Sequence, residues 1–114
     1  MTAPFCSLTH MSPYHFSTGF NKYWYEKHLP QNDFEITGIT ANGNFFEYIA
    51  QEIYRIPTIS NLYAKTKPNP IELVSIYIVQ RMLCRFSKRD HCSLELLCFG
   101  YHVIAQKKRD NRIY

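Results

Sequence analysis

Near the carboxyl end His91, Cys92, Cys98 and His102 bring together side chains of the types that hold transition metals. Zinc knuckles use closely spaced CxxC pairs. Here five residues separate Cys92 from Cys98 and no CxxC occurs anywhere in the chain, so these thiols read as buried or idle rather than as ligands. At the other end, Cys6 and His10 are a nucleophile and a base in type, but standing four residues apart in a loop fixes no geometry. His10 and His15 are the candidate substrate-binding residues. Both follow an apolar opening segment with strand character, and open α/β sheets place ligands at the loops just beyond their strands. A ring there can bind a substrate or move a proton; it can equally hydrogen-bond the loop to the body of the fold. The four glycines, Gly19, Gly38, Gly43 and Gly100, contain no GxG pair, so no phosphate-cradling loop can be built from them.

The elements that must position these residues follow from periodicity and punctuation. Met1 to Phe5 is a short apolar start, and Cys6 to His15, with Pro13, is a loop. Phe16, Phe20, Tyr23 and Trp24 recur at helical spacing, which predicts a helix from about Thr18 to Leu29, capped by Ser17 or Thr18 and stopped by Pro30. Phe34 to Thr40 has the β-branched character of a strand, ending at the Asn42-Gly43-Asn44 turn. A second helix is predicted from about Phe45 to Arg55, with Phe46, Ile49, Ala50 and Ile53 inward and Pro57 closing it. Thr58 to Asn69 reads as a loop. Asn69-Pro70 then opens a third helix that runs to about Phe86 and buries Ile71, Val74, Ile78, Met82 and Leu83. Tyr101 to Gln106 alternates as a final strand.

The 114 residues amount to one domain, with 46% hydrophobic and 19% charged side chains, a globular composition. A net charge of +4 is modest, and the cluster of Lys107, Lys108, Arg109 and Arg112 leads into and fills a polar basic tail over 108–114 rather than a nucleic-acid patch, since no aromatic platform accompanies it. The amino terminus lacks the basic and apolar regions of a signal peptide. The longest apolar run, Ile71 to Val79, is interrupted by Glu72 and Ser75 and falls short of the ~20 residues of a membrane span. The expectation is a cytoplasmic protein, with no membrane or nucleic-acid partner and with Cys6, Cys84, Cys92 and Cys98 reduced.

Three segments in order, TAPFCSLTH...PYHFSTGFNKYWYEKHLP, FEITGITANGNFFEYIAQE and ELLCFGYHVIAQK, carry a resemblance. From Thr2 to about Lys107 the chain resembles the carboxyl-terminal half of class I S-adenosylmethionine-dependent methyltransferases, in particular small methyltransferase domains of the type-11 kind. The resemblance implies an α/β fold: part of a Rossmann-like sheet whose full strand order is 3-2-1-4-5-7-6, with strand 7 antiparallel. Thr2 to Phe5 matches the end of strand 5, Phe34 to Thr40 strand 6 and Tyr101 to Gln106 strand 7, with about three helices in all. It places the Thr18–Leu29 helix between strands 5 and 6, a variable insert from Thr58 to Cys92, and the loop bearing His10 and His15 on the substrate side.

The family holds S-adenosylmethionine through a glycine-rich loop after strand 1 and an acidic residue at the end of strand 2, and no residue here matches either. The expectation is therefore a methyltransferase-like carboxyl-terminal fragment, with no cofactor site of its own and inactive alone; the alternatives are an interaction or oligomerising module, or one half of a split methyltransferase. With strand 5 stripped of its inner neighbour, the exposed strand edge becomes the expected place for self-association or a partner chain.

Overall fold

Between the turns at Asp33 and Gly43, Phe34, Ile36, Ile39 and Ala41 alternate with polar residues and form the half-buried face of a nine-residue strand, β2 (Phe34–Asn42). It pairs antiparallel with β3 (Gly100–Lys107), which also pairs antiparallel with β1 (Thr2–Pro4), so the sheet order is β1-β3-β2. The computed structural model describes residues 1–6 and 19–109: an α/β chain of three strands, three α-helices and one 3-10 turn. It divides into two compact units, Met1–Asn42 with the chain from Cys98 onward, and Gly43–Leu97.

In the sheet unit, Tyr101 and Val103 of β3 are buried while His102, Ile104 and Gln106 on the other face are exposed, the one-sided pattern of an antiparallel sheet with one dry face. The Met1 ammonium donates to the Val103 carbonyl at 2.8 Å, and the Val103 N–H donates to Met1 O at 2.7 Å. A Cβ on Gly100 would collide with the Ala3 carbonyl, so β1 can lie this close only over a glycine. The register slips between Ile36 and Gly38, where the Thr37 hydroxyl donates to Ile104 O at 3.2 Å; a bulge of this kind twists an edge strand away from foreign pairing.

Helix α1 (Lys22–Gln31) packs on β2 and brings Tyr25, wholly buried, onto the dry face with Tyr101, Val103 and Cys98. Both of its ends differ from the sequence prediction. The cap is Asn21, whose side chain accepts the Trp24 N–H at 3.0 Å, while Ser17 and Thr18 lie outside the described residues. Pro30 sits inside the last turn, where its missing N–H costs a single helical bond. The stop comes from Asn32, whose amide donates to His28 O at 2.8 Å, and from Asp33 at φ 62.

The second unit is a pair of long helices with a short turn after them. Asn44 caps α2 (Phe45–Tyr63) by accepting the Glu47 N–H at 3.0 Å, and its amide donates to Ser87 Oγ at the far end of α3 (Pro70–Lys88). Asn69 and Glu72 form a reciprocal capping box at 2.8 Å each way, in agreement with the Asn69-Pro70 start. Pro57 does not close α2, which continues to Tyr63, so the expected loop from Thr58 is helical for its first six residues. The two helices contact each other along their length: Phe46 meets Phe86 at 5.7 Å, and Gln80 Nε2 donates to Ala50 O at 2.6 Å.

The predicted inward stripe of α3 is also corrected. Only Leu83 is buried; Ile71, Val74, Ile78 and Met82 are 78%, 58%, 60% and 39% exposed. The face turned to α2 instead carries Ile76, Val79, Gln80 and Leu83, which are buried or half-buried and again spaced three and four apart. A 3-10 turn (Ser93–Glu95) follows, entered through Cys92 at φ 77. Among the described residues no helix is long and apolar enough to cross a membrane.

Candidate functional site

His10 and His15 lie outside the described residues; what the fold supplies is the frame from which their segment departs and to which it returns. Phe5 N–H bonds Phe99 O at 3.1 Å as the chain leaves β1, and Phe20 N–H bonds Pro4 O at 3.0 Å as it comes back. Gly19, at φ 141, lies so near the carbonyls of Pro4 and Phe5 that a side chain there would clash with both. The segment therefore begins and ends at one point, the carboxyl end of β1, where sequence reasoning placed a substrate loop.

Aromatic side chains pave the ground beside that point. Phe20 packs on Trp24 at 4.3 Å between centroids, Trp24 meets Tyr25 at 5.3 Å, and Phe5 and Tyr25 reach Tyr101 at 6.1 and 6.3 Å. His28 lies against Trp24 at 4.7 Å, and with Phe20, Trp24 and Lys27 it lines an open groove of about 400 Å³ that begins at Gly19. Sequence reasoning missed His28 as a site residue, although its i, i+4 spacing from Trp24 on a helix was a usable signal. Among the described residues the groove combines aromatic faces with one amine and one imidazole and is lined by no carboxylate or thiol. Its side chains suit binding a flat or anionic group better than making or breaking a bond.

The four metal-type residues are dispersed in their roles. His102 Nδ1 is 2.9 Å from Thr2 Oγ1 on the open face of the sheet. Cys98 is fully buried, and burial raises its thiol pKa above the ordinary value even though hydrogen bonds with Tyr101, Gly100 and Asn42 oppose the shift, so it stays protonated and unreactive at neutral pH. His91 and Cys92 are exposed in the other unit. Among the described residues no group of three His, Cys, Asp or Glu side chains could hold a metal ion.

Besides a hollow of about 340 Å³ lined by Phe46, Ala50, Gln80 and Leu83, two others lie on the helical unit. One of about 490 Å³ at the open end of the pair is bordered by Ile56, Ser60, Glu72 and Ser75, with the Glu72 carboxylate already committed to its cap. The other, about 610 Å³, runs along α3 beside Ile78, Met82, Arg81 and Arg85. The second is also lined by Cys84 and Lys88, a thiol and an amine one turn apart on α3. In comparisons with known proteins, no family model, curated protein or solved structure matches the chain.

Proposed function

We propose that this chain is a methyltransferase-like carboxyl-terminal segment that binds no S-adenosylmethionine by itself and is inactive alone. The observation that carries the reading is the strand order. β1 and β2 run the same way with β3 between them in the opposite sense, which is the 5-7-6 arrangement with an antiparallel strand 7 that the resemblance implies. Helix α1 joins β1 to β2, as the connection between strands 5 and 6 should.

The residues present do not fit the cofactor. The helix that follows β1 has its amino end occupied by the Asn21 side chain, and no glycine-rich turn precedes it. The outer edge of β1 fits a missing neighbour. Because Met1 exchanges both backbone bonds with Val103, Thr2 directs its N–H and C=O away from β3, toward where the next strand inward would run. That same edge is the place for a complementary chain in a split enzyme, and it is short: Pro4 has no N–H, and its carbonyl already accepts from Phe20.

Isothermal calorimetry of the full chain with S-adenosylmethionine is the test. No saturable heat is expected, and binding in the micromolar range would overturn the reading. An in-frame or frameshifted glycine-rich segment in the coding sequence just upstream would further distinguish a fragment from half of a split enzyme.

A further inference from the structure

We infer that Asn42-Gly43 is a self-modification site: the Asn42 side-chain amide is lost to intramolecular attack by the Gly43 nitrogen, leaving isoaspartate or aspartate where the chain passes from β2 toward α2. Asparagine is thermolabile because a free backbone nitrogen one residue on can close a ring on its side-chain carbonyl. Which asparagine reacts depends on whether those two groups are already held. Asn21, Asn44 and Asn69 commit their side-chain oxygens to the backbone N–H groups that they cap, and Pro70 after Asn69 has no N–H at all. Asn32 donates its amide to His28 O, and the Asp33 N–H after it donates to Pro30 O. Asn61 lies inside α2, where the helix engages the Leu62 N–H.

Among the described residues only Asn42 has both groups unheld. It is exposed as the last residue of β2, its side chain has no hydrogen-bond partner, and the Gly43 N–H has no acceptor. Gly43, at φ 74, has no Cβ to crowd the approach. In the step itself the Gly43 nitrogen gives its proton to a solvent base and bonds to Asn42 Cγ; the Cγ–Nδ2 bond breaks, and ammonia leaves with a proton from water. Water then opens the succinimide at either carbonyl. One opening yields aspartate, and the other yields isoaspartate, whose main chain runs through the former side-chain carbonyl. Asparagine and water become an acid and ammonia, with nothing oxidised or reduced. Each event adds one negative charge to a chain of net charge +4. The isoaspartyl product also inserts a methylene beside the Asn42 carbonyl that accepts the Phe99 N–H at 2.8 Å, in a residue that pairs with Gly100, so that bond and the route into Gly43 cannot both be kept.

The inference does not depend on the outcome of the calorimetry. The full chain is incubated at neutral and at mildly alkaline pH in heavy-oxygen water and then digested, and tandem mass spectrometry places each lost amide. Heavy oxygen should enter at Asn42, and faster at the higher pH because base removes the Gly43 proton. Asn42 is expected to convert at least tenfold faster than Asn44, whose side-chain bonds to the Glu47 N–H and Ser87 Oγ must break first. Asn42→Gln, with a longer side chain that closes a less favourable ring, should abolish the signal with an unchanged circular dichroism spectrum. The aged wild-type chain should melt below the fresh one, and aged Asn42→Gln should not. An Asn42 that stays intact in the folded chain while it converts in urea overturns the inference, because β2 then holds the amide away from Gly43. So does equal conversion at Asn42 and Asn44, and a fully converted chain that melts with the fresh one overturns the structural consequence.

Discussion

The Tyr25 ring stands edge-on to that of Tyr101, with centroids 6.3 Å apart at 66°, and among the described residues its buried hydroxyl finds no hydrogen-bond partner. The ring is well placed and the oxygen is not. An unsatisfied buried hydroxyl costs about 1–3 kcal/mol. Tyr25→Phe keeps the ring and removes that cost, so urea denaturation should show the variant about 1 kcal/mol more stable than the parent. A variant less stable by that amount would mean that the hydroxyl is engaged.

Burial also raises the pKa of the Tyr25 phenol, and of the Cys98 thiol on the same dry face. On unfolding both return toward 10.0 and 9.0, and the unfolded chain gives up these protons first. Stability from the two groups is therefore whole below about pH 9 and is lost as pH rises, first through Cys98 and then through Tyr25. Melting temperature followed from pH 7 to 11 should decline above pH 9. Cys98→Ala should remove the earlier part of the decline and Tyr25→Phe the later part; profiles parallel to wild type in both variants would exclude burial as the cause.

Pro57 lies inside α2, where it cannot donate to the Ile53 carbonyl four residues earlier. Pro57→Ala restores that bond and improves helix propensity. A stabilisation of about 1–3 kcal/mol in thermal or chemical unfolding is the expected result. If the variant is destabilised, packing of the proline ring against α3 matters more than the missing bond.

Where a residue acts on its own neighbours, the sequence was a good guide. Asn69-Pro70 announced the start of α3 because the cap and the proline need only the first turn, and the alternation from Phe34 announced β2. Pro30 and Pro57 misled for a physical reason. A proline forbids one hydrogen bond, and a helix near its end or held by a neighbour survives that loss. The inward face of α3 misled differently. Apolar residues occupy two of its sides, and periodicity marks a stripe without saying which stripe meets α2; Ile76, Val79 and Leu83 do, while Ile71, Val74 and Ile78 do not. Sheet order is not a local property either, and the expectation that strand 7 would lie between 5 and 6 came from the resemblance. His28 beside Trp24 lies on a helix, where its i, i+4 spacing from an aromatic residue is also an ordinary packing signal. His10 and His15 lie outside the described residues.

Asn42 and Phe99 close a loop of chain. The Phe99 N–H meets the Asn42 carbonyl at 2.8 Å, and Asn42 pairs with Gly100, so the strands on either side are already joined where the helical unit departs and returns. The chain from Gly43 to Leu97 leaves and re-enters the sheet unit at this clasp. The sheet bears the closure entropy of that excursion once, at the clasp, and that cost grows only slowly with the length enclosed. The enclosed segment can therefore lengthen, shorten or change its sequence while β2 and β3 keep their register, so that new surfaces are acquired without renegotiating the strands.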